Sequence, residues 1–337
     1  MEKRKIMQLG RSSLVISLPQ EWISLTNVEK GDLVDIEIKR DRSLAILPNL
    51  DDDDVPEKIT LHIDPAEHKS SITRSIIACY LNGYTNIQLI SKKFFTASQQ
   101  NAIRKVTKNL YMRVLDADSR VQEIEFMLDE LRVSIVTNTK RMFNISKSMI
   151  KDVIEALKTQ DAKLAKSVYS LDDDVDHFCF FILRLLRRAS LNPGLSNKLD
   201  LDPIKILDYQ VLVYRIEHIA DAAAAIANQI ISLHGENLYL PEEILNLILK
   251  AANDAFQQLE SAFDAFFTSE ISQCNSIIEK KGEILDQYHD IASATFQIPG
   301  VDAKMVCIIC NIRDSIVRIS DWSVSIAESA ISRFYSL

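Results

Sequence analysis

The sequence predicts a mostly α-helical chain in which a duplicated three-helix bundle follows a small β-rich unit and a short α/β connector. Three observations carry this expectation. Only 7 Gly and 8 Pro occur in 337 residues, a scarcity that favours long helices over turn-rich β structure. From about Leu131 onward the apolar spacing is helical throughout. Two stretches in that region also resemble each other, "YRIEHIADAAAAIANQII" from Tyr214 and "SIVRISDWSVSIAESAI" from Ser315. They align Asp221 with Asp321, a spacing of roughly 100 residues that marks an internal duplication.

The length suggests two or three domains, and an apolar share of 47% is ample for real cores. The longest uncharged apolar runs, such as "HFCFFIL", are too short to span a bilayer. The chain opens "MEKRK" and then alternates like a strand, with no signal-peptide core. Five scattered cysteines fit a reducing cytoplasm better than a disulfide scaffold. "CIIC" (Cys307 to Cys310) has metal-ligand spacing but lies in an apolar helical stretch with no second pair, so core cysteines are expected there.

The first unit, residues 1–50, is β-rich. "RKIMQL" and "SLVISLP" alternate as strands around a Gly10–Arg11 turn, and "PQEWISLTN" is a short helix with Pro19 at its start. "EKGDLVDIEIKRDRSLAILP" is two strands joined by "KRDRS". A unit this small buries little core alone, and dimerisation is the usual remedy. Arg11, Ser12, Ser17, Leu18, Pro19, Trp22, Gly31 and Asp32 together resemble the AbrB-like (SpoVT-AbrB) swapped-hairpin family. That resemblance implies a homodimer that presents basic residues to double-stranded DNA. Lys3, Arg4, Lys5 and Arg11 are the candidates, a local excess in a chain whose net charge is −8. A solvated basic tail on a dimerisation module remains the other reading.

"DDDDVPE" (Asp51 to Glu57) reads as an acidic linker. Residues 51–128 then alternate strand and helix. "KITLHID", "NIQLIS", "MRVLDAD" and "RVQEIEFML" are strands, and "HKSSITRSIIACYLNGY" is a helix closed by Gly83. "SQQNAIRKVTKNLY" is the second helix. This connector carries no phosphate loop, nucleophile elbow or dinucleotide fingerprint.

Helices are expected near 133–159, 161–191 and 202–233 in a first repeat (129–236), and near 241–268, 270–296 and 301–335 in a second (237–337). Loop signals separate them at "NPGLSNKLDLDP", "HGENLYLP" and "IPG". Within the first repeat, Glu217 and Asp221 stand four apart at the edge of an apolar stripe. Asp172 and Asp176 do the same on the preceding helix, with Asp173 beside them. Acid pairs facing one another across a bundle do not all stay ionised without a cation. The alternatives are a metal ion or pairing of Glu217 and Asp221 with Arg184, Arg187 or Arg215, Asp172 to Asp176 being a solvated face. His177 and His218 follow acids directly, about 100° further round the helix, and are expected to support the acids from behind or to be structural, not to be ligands.

The duplicated unit resembles the PhoU family, whose third helix carries an E-R-I-x-D-x-x-x-N-I signature, standing here as Glu217, His218, Ile219, Asp221, Ala225 and Ile226. The family's acidic motif on the second helix stands as "LDDDVDHFCFFI". Joined to the N-terminal unit, the chain is similar to archaeal-type PhoU regulators with an AbrB-like domain. The resemblance implies a cytoplasmic regulator of phosphate uptake, with DNA bound through the N-terminal dimer and sensing or docking by the helices. The alternative is an adaptor that contacts a phosphate transporter or sensor kinase without binding DNA. The metal candidates are Asp172, Asp173, Asp176, Glu217 and Asp221, with a divalent or iron-type ion (Mg²⁺, Mn²⁺, Ca²⁺, Fe or Zn²⁺). The second repeat departs from the pattern, with Val317 in place of Glu217. Lys281 or Arg318 is expected there as a built-in cation. A di-iron enzyme is disfavoured because Asp174 to His177 is a lone Asp-x-x-His. No nucleophile set is legible, and a non-enzyme is expected.

Overall fold

A computed structural model describes residues 2–38, 42–48, 58–128, 133–299 and 302–336. The expected "KRDRS" connection falls partly outside these residues, and the acidic linker Asp51 to Glu57 wholly so. The chain divides into two compact units, Met1–Pro56 and Glu57–Leu337.

The first unit is two hairpins and a helix. Strands β1 (Met7–Leu9) and β2 (Ser13–Val15) pair antiparallel, with Gly10 at φ +70 in the turn, a left-handed conformation that glycine adopts without Cβ strain. Helix α1 (Gln20–Thr26) ends at Asn27, also left-handed. Strands β3 (Val34–Ile38) and β4 (Leu44–Pro48) form a second, separate pair. The expected alternation is present, but neither face of it forms a core among the described residues. None of the described residues of this unit is buried, and Leu14 (72%), Leu33 (79%) and Ile38 (76%) stand largely exposed.

The second unit begins with a four-stranded sheet, β5 (Lys58–Ile63), β6 (Asn86–Ser91), β7 (Met112–Ala117) and β8 (Val121–Phe126), in the order β5-β6-β8-β7. The β5–β6 pair is parallel and the others antiparallel. Helix α2 (Lys69–Leu81) connects the parallel strands, and α3 (Ala97–Asn109) leads to β7. A capping box between Thr96 and Gln99 fixes the start of α3. Strand alternation puts Ile87, Leu89 and Ile124 into a core with Ile72, Ile76 and Ile103 of the helices. Lys58 and Glu123 pair at 2.9 Å on the other face.

The rest is helical: α4 (Ile135–Thr159), α5 (Ala162–Leu191), a short α6 (Pro193–Lys198), α7 (Pro203–Gly235), α8 (Glu242–Thr268), α9 (Ile271–Glu279), α10 (Lys281–Gln297) and α11 (Ala303–Phe334). Asp161, Asp202 and Asp302 cap α5, α7 and α11 with side-chain oxygens. Helices α4, α5 and α7 form one three-helix set, and α8, α9–α10 and α11 the other. One core runs through both. Two details differ from the sequence reading. Asn192 accepts from the Leu195 amide, and with Pro193 at the first position it starts a turn of helix inside the expected loop. The expected helix at 270–296 is interrupted at Lys280, next to Gly282, whose lack of a side chain weakens a helix interior.

Arg184 of α5 ties the sheet layer to the bundle. It is fully buried and donates to the carbonyls of Tyr80, Gly83 (2.9 Å) and Tyr84 (3.0 Å), the ending of α2. Its guanidinium lies over the rings of Tyr80 and Phe126, at 4.9 and 4.3 Å. Gly83 (φ +96) lets the chain pass close to α5, since an added Cβ would lie 3.1 Å from Arg188 Cγ.

Candidate functional site

The packing of α5 on α7 sets their acidic positions near enough for the charges to interact, but among the described residues neither Asp172 nor Asp176 brings an oxygen into the group that Glu217, His218 and Asp221 form. Asp172 and Asp176 stand one turn apart on α5, and Glu217 and Asp221 one turn apart on α7. Asp172, Asp176 and Glu217 are half-buried and Asp221 is more exposed. Among the described residues, no Lys or Arg lies within ion-pair distance of any of the four.

The electrostatics follow from that lack of compensation. Burial, then Asp221, Asp176 and Asp172, push the Glu217 carboxyl up to about 7. Burial, then Asp221, Asp176 and Asp173, push Asp172 up to about 6. Asp176 is likewise pushed up to about 6 by burial, Asp221 and Asp173, with Lys105 opposing. Burial also raises Asp221, with His218 pulling the other way. Cys179 sits beneath this cluster, its thiol pushed up by burial and by Glu217, Asp176 and Asp221.

The arginines named as alternative partners are engaged elsewhere. Arg184 caps α2, Arg187 donates to Asn82 Oδ1 at 2.7 Å, and Arg215 Nε donates to Ser325 Oγ at 3.0 Å.

His218 touches the acid that precedes it. Its Nδ1 lies 2.7 Å from Glu217 Oε2, although 100° separates adjacent helix positions. The reach of the glutamate and the swing of the imidazole close that angle. The contact is near but lacks hydrogen-bond alignment, leaving the buried Glu217 Oε2 without a hydrogen bond. One ligand atom each from Glu217, His218 and Asp221 lie within 4.8 Å of one another. Trp322 of α11 packs on the His218 ring at 5.2 Å between centroids. His177 packs edge-on against Tyr111 at 3.7 Å.

Asp173 is turned toward α3. It is exposed and pairs with Lys105 at 3.4 Å, while its charge still raises Asp172 and Asp176. Lys105 comes from a helix far away in sequence, and no local signal could have found it. The second repeat has its own arrangement, with Lys281 Nζ 2.7 Å from Asp321 Oδ1 at the position that mirrors Asp221. A lysine thus stands beside the acid where the first repeat leaves acids unpaired. The CIIC cysteines are not core residues. Cys307 is exposed and Cys310 half-buried, because their face of α11 turns outward.

In the first unit Lys3, Arg4, Lys5 and Arg11 are all exposed. Arg4 pairs with Glu2 at 2.6 Å and donates to Ser17 Oγ at 3.3 Å. No helix among the described residues is long and apolar enough to cross a membrane.

Compared with known families, residues 139–230 match the PhoU domain, a span that holds both halves of the acid cluster. No match was found among curated proteins. Two solved structures are similar in fold. One is PhoU from Pseudomonas aeruginosa, at TM-score 0.51 and 20% identity, over 58% of this chain and 93% of that one. The other is the phosphate transport system regulatory protein PhoU from Streptococcus pneumoniae, at TM-score 0.53 and 16% identity, over 60% of this chain and 93% of that one. Residues 139–230 thus match the PhoU domain, and the helical bundle shares the fold of these two PhoU structures.

Proposed function

We propose that this chain regulates phosphate uptake, acting by contact and not by catalysis, with a metal ion held between α5 and α7. The observation that carries the reading is the uncompensated carboxylate cluster, because both of its halves lie inside the stretch that matches the PhoU domain. Glu217 and Asp221 would supply oxygens and His218 one nitrogen, since their ligand atoms stand within 4.8 Å of one another, and Asp172 and Asp176 would close on the ion from α5 by side-chain rotation. That donor set suits Mn²⁺, Fe or Zn²⁺ better than Ca²⁺, which prefers oxygen alone. The setting of Glu217 supports the fit, since a half-buried carboxylate crowded by Asp221, Asp176 and Asp172 is costly unless a proton or cation meets it. In the second repeat Lys281 would take the place of the ion. Deleting the gene in its own host tests the regulatory role. Phosphate uptake under phosphate-replete conditions should rise, and unchanged uptake would refute it.

The N-terminal unit is proposed to dimerise as an AbrB-like module and to present Lys3, Lys5 and Arg11 to duplex DNA. Exposed apolar positions on both hairpins support the pairing, since a second copy would bury them. A second reading, an adaptor that contacts a transporter or kinase without DNA, is favoured by one observation. Glu2 already neutralises Arg4, and the chain as a whole is acidic at −8. Fluorescence anisotropy with duplex DNA separates the two. Binding that weakens with salt and is lost in a Lys3/Lys5/Arg11→Ala variant supports the DNA reading. No binding at low salt supports the adaptor.

A further inference from the structure

A groove of about 570 Å³ runs between α2, α3 and α5 and shares only Asp176 with the four-acid cluster. Its volume falls in the range of small-molecule sites, roughly 300–1,000 Å³. The floor is apolar, with Ile77, Val106, Leu110 and Phe180. The charges are sorted by wall. Lys69 of α2 and Lys105 of α3 stand on the connector side, and Asp173 and Asp176 of α5 stand on the bundle side. One ion pair spans the groove, Lys105 to Asp173 at 3.4 Å, with side chains 69% and 59% exposed. So exposed a pair contributes little, about 0–1 kcal/mol, and a ligand that offers both partners a substitute can enter it. Among the described residues Lys69 makes no ion pair, and Asp176 has no Lys or Arg within reach.

A lone anion would meet the lysines and be repelled by the aspartates, and a lone cation the reverse. A purely apolar molecule would strip water from charged groups without replacing it. We propose that this groove binds an amphipathic zwitterion of the α-amino-acid class, with its carboxylate on Lys69 and Lys105, its ammonium on Asp173, and its apolar side chain on the floor. The walls belong to different layers of the unit, so the ligand would bridge connector and bundle.

Isothermal titration calorimetry on the full chain, with chelator present to keep metal off the acids, tests this with three probes: L-phenylalanine, 3-phenylpropionate, which lacks the ammonium, and 2-phenylethylamine, which lacks the carboxylate. L-phenylalanine should bind once per chain, and each analogue about fivefold or more weaker, the loss expected for one charged contact. Lys69→Ala should weaken phenylalanine but not phenylethylamine. Asp173→Asn should weaken phenylalanine but not phenylpropionate. Both positions are exposed, and unchanged thermal melts would show that the variants fold. Equal affinity for all three probes, variants that leave phenylalanine binding unchanged, or no heat up to about 10 mM phenylalanine would overturn the proposal.

Discussion

Glu217 shows how a side chain can be legible in type and illegible in setting. Its spacing to Asp221 is written in the sequence, and so is the matching pair on the preceding helix. Its contact with His218 is not, because it depends on rotamers rather than on helix angle. The raised carboxyls have a consequence for stability. In the absence of metal the folded chain holds these protons more tightly than the unfolded chain does. Stability therefore falls as pH rises from the ordinary carboxylate value, near 4, to the folded values of about 6 to 7, and is flat above. Thermal melts of the chelated protein should show a lower midpoint at about pH 8 than at about pH 5. Glu217→Gln should flatten that dependence and stabilise the chelated protein at pH 8 by about 1 kcal/mol, discounted for partial exposure. A midpoint that climbs with pH would contradict the assignment. Arg184 was illegible in a different way. The sequence offered it as a partner for acids, but it donates to carbonyls about a hundred positions earlier. Arg184→Met removes donors from three carbonyls at the end of α2. It should cost about 2–4 kcal/mol in denaturant unfolding, and a loss under 1 kcal/mol would show that those carbonyls are satisfied otherwise.

At the scale of elements, helical periodicity and capping residues did most of the work. The first helix of the bundle was expected over 133–159 and runs Ile135–Thr159, and the second was expected over 161–191 and runs Ala162–Leu191. The differences arise where one local signal is compatible with two structures. Pro193 followed a cap as well as a loop, and Gly282 weakened a helix whose apolar spacing ran straight through it. The two repeats also diverge at their matching acids. Lys281 sits beside Asp321, where the first repeat gathers Glu217 and Asp221 with no lysine or arginine at ion-pair distance among the described residues. Both side chains of that pair are about two-fifths exposed, so Lys281→Ala should change stability by less than about 1 kcal/mol. The same variant should leave metal stoichiometry unchanged, because Val317 offers no ligand in place of Glu217. A second ion per chain in Lys281→Ala would show that the lysine alone keeps metal out.

At the scale of the molecule, the helical fold and its duplication were readable because many independent positions repeat the same pattern. The N-terminal unit was readable only as far as its strands. Alternation fixes which residues share a face, but not what covers that face. A self-associating unit should lose its partner when charge enters the exposed stripe. Ile36→Glu, at a position 62% exposed, should shift sedimentation velocity from dimer to monomer while leaving helical content unchanged. An unaltered sedimentation coefficient would place the contact elsewhere. The central claim, however, is the cation between α5 and α7. The most direct measurement is metal content by mass spectrometry, together with titration of Mn²⁺ and Zn²⁺ into chelated protein, for the native chain and for Asp176→Asn and Glu217→Gln. The account predicts one ion-binding site per chain in the native protein, lost or weakened about tenfold or more in each variant. Absence of binding in the native chain, or binding that survives both substitutions, would contradict it.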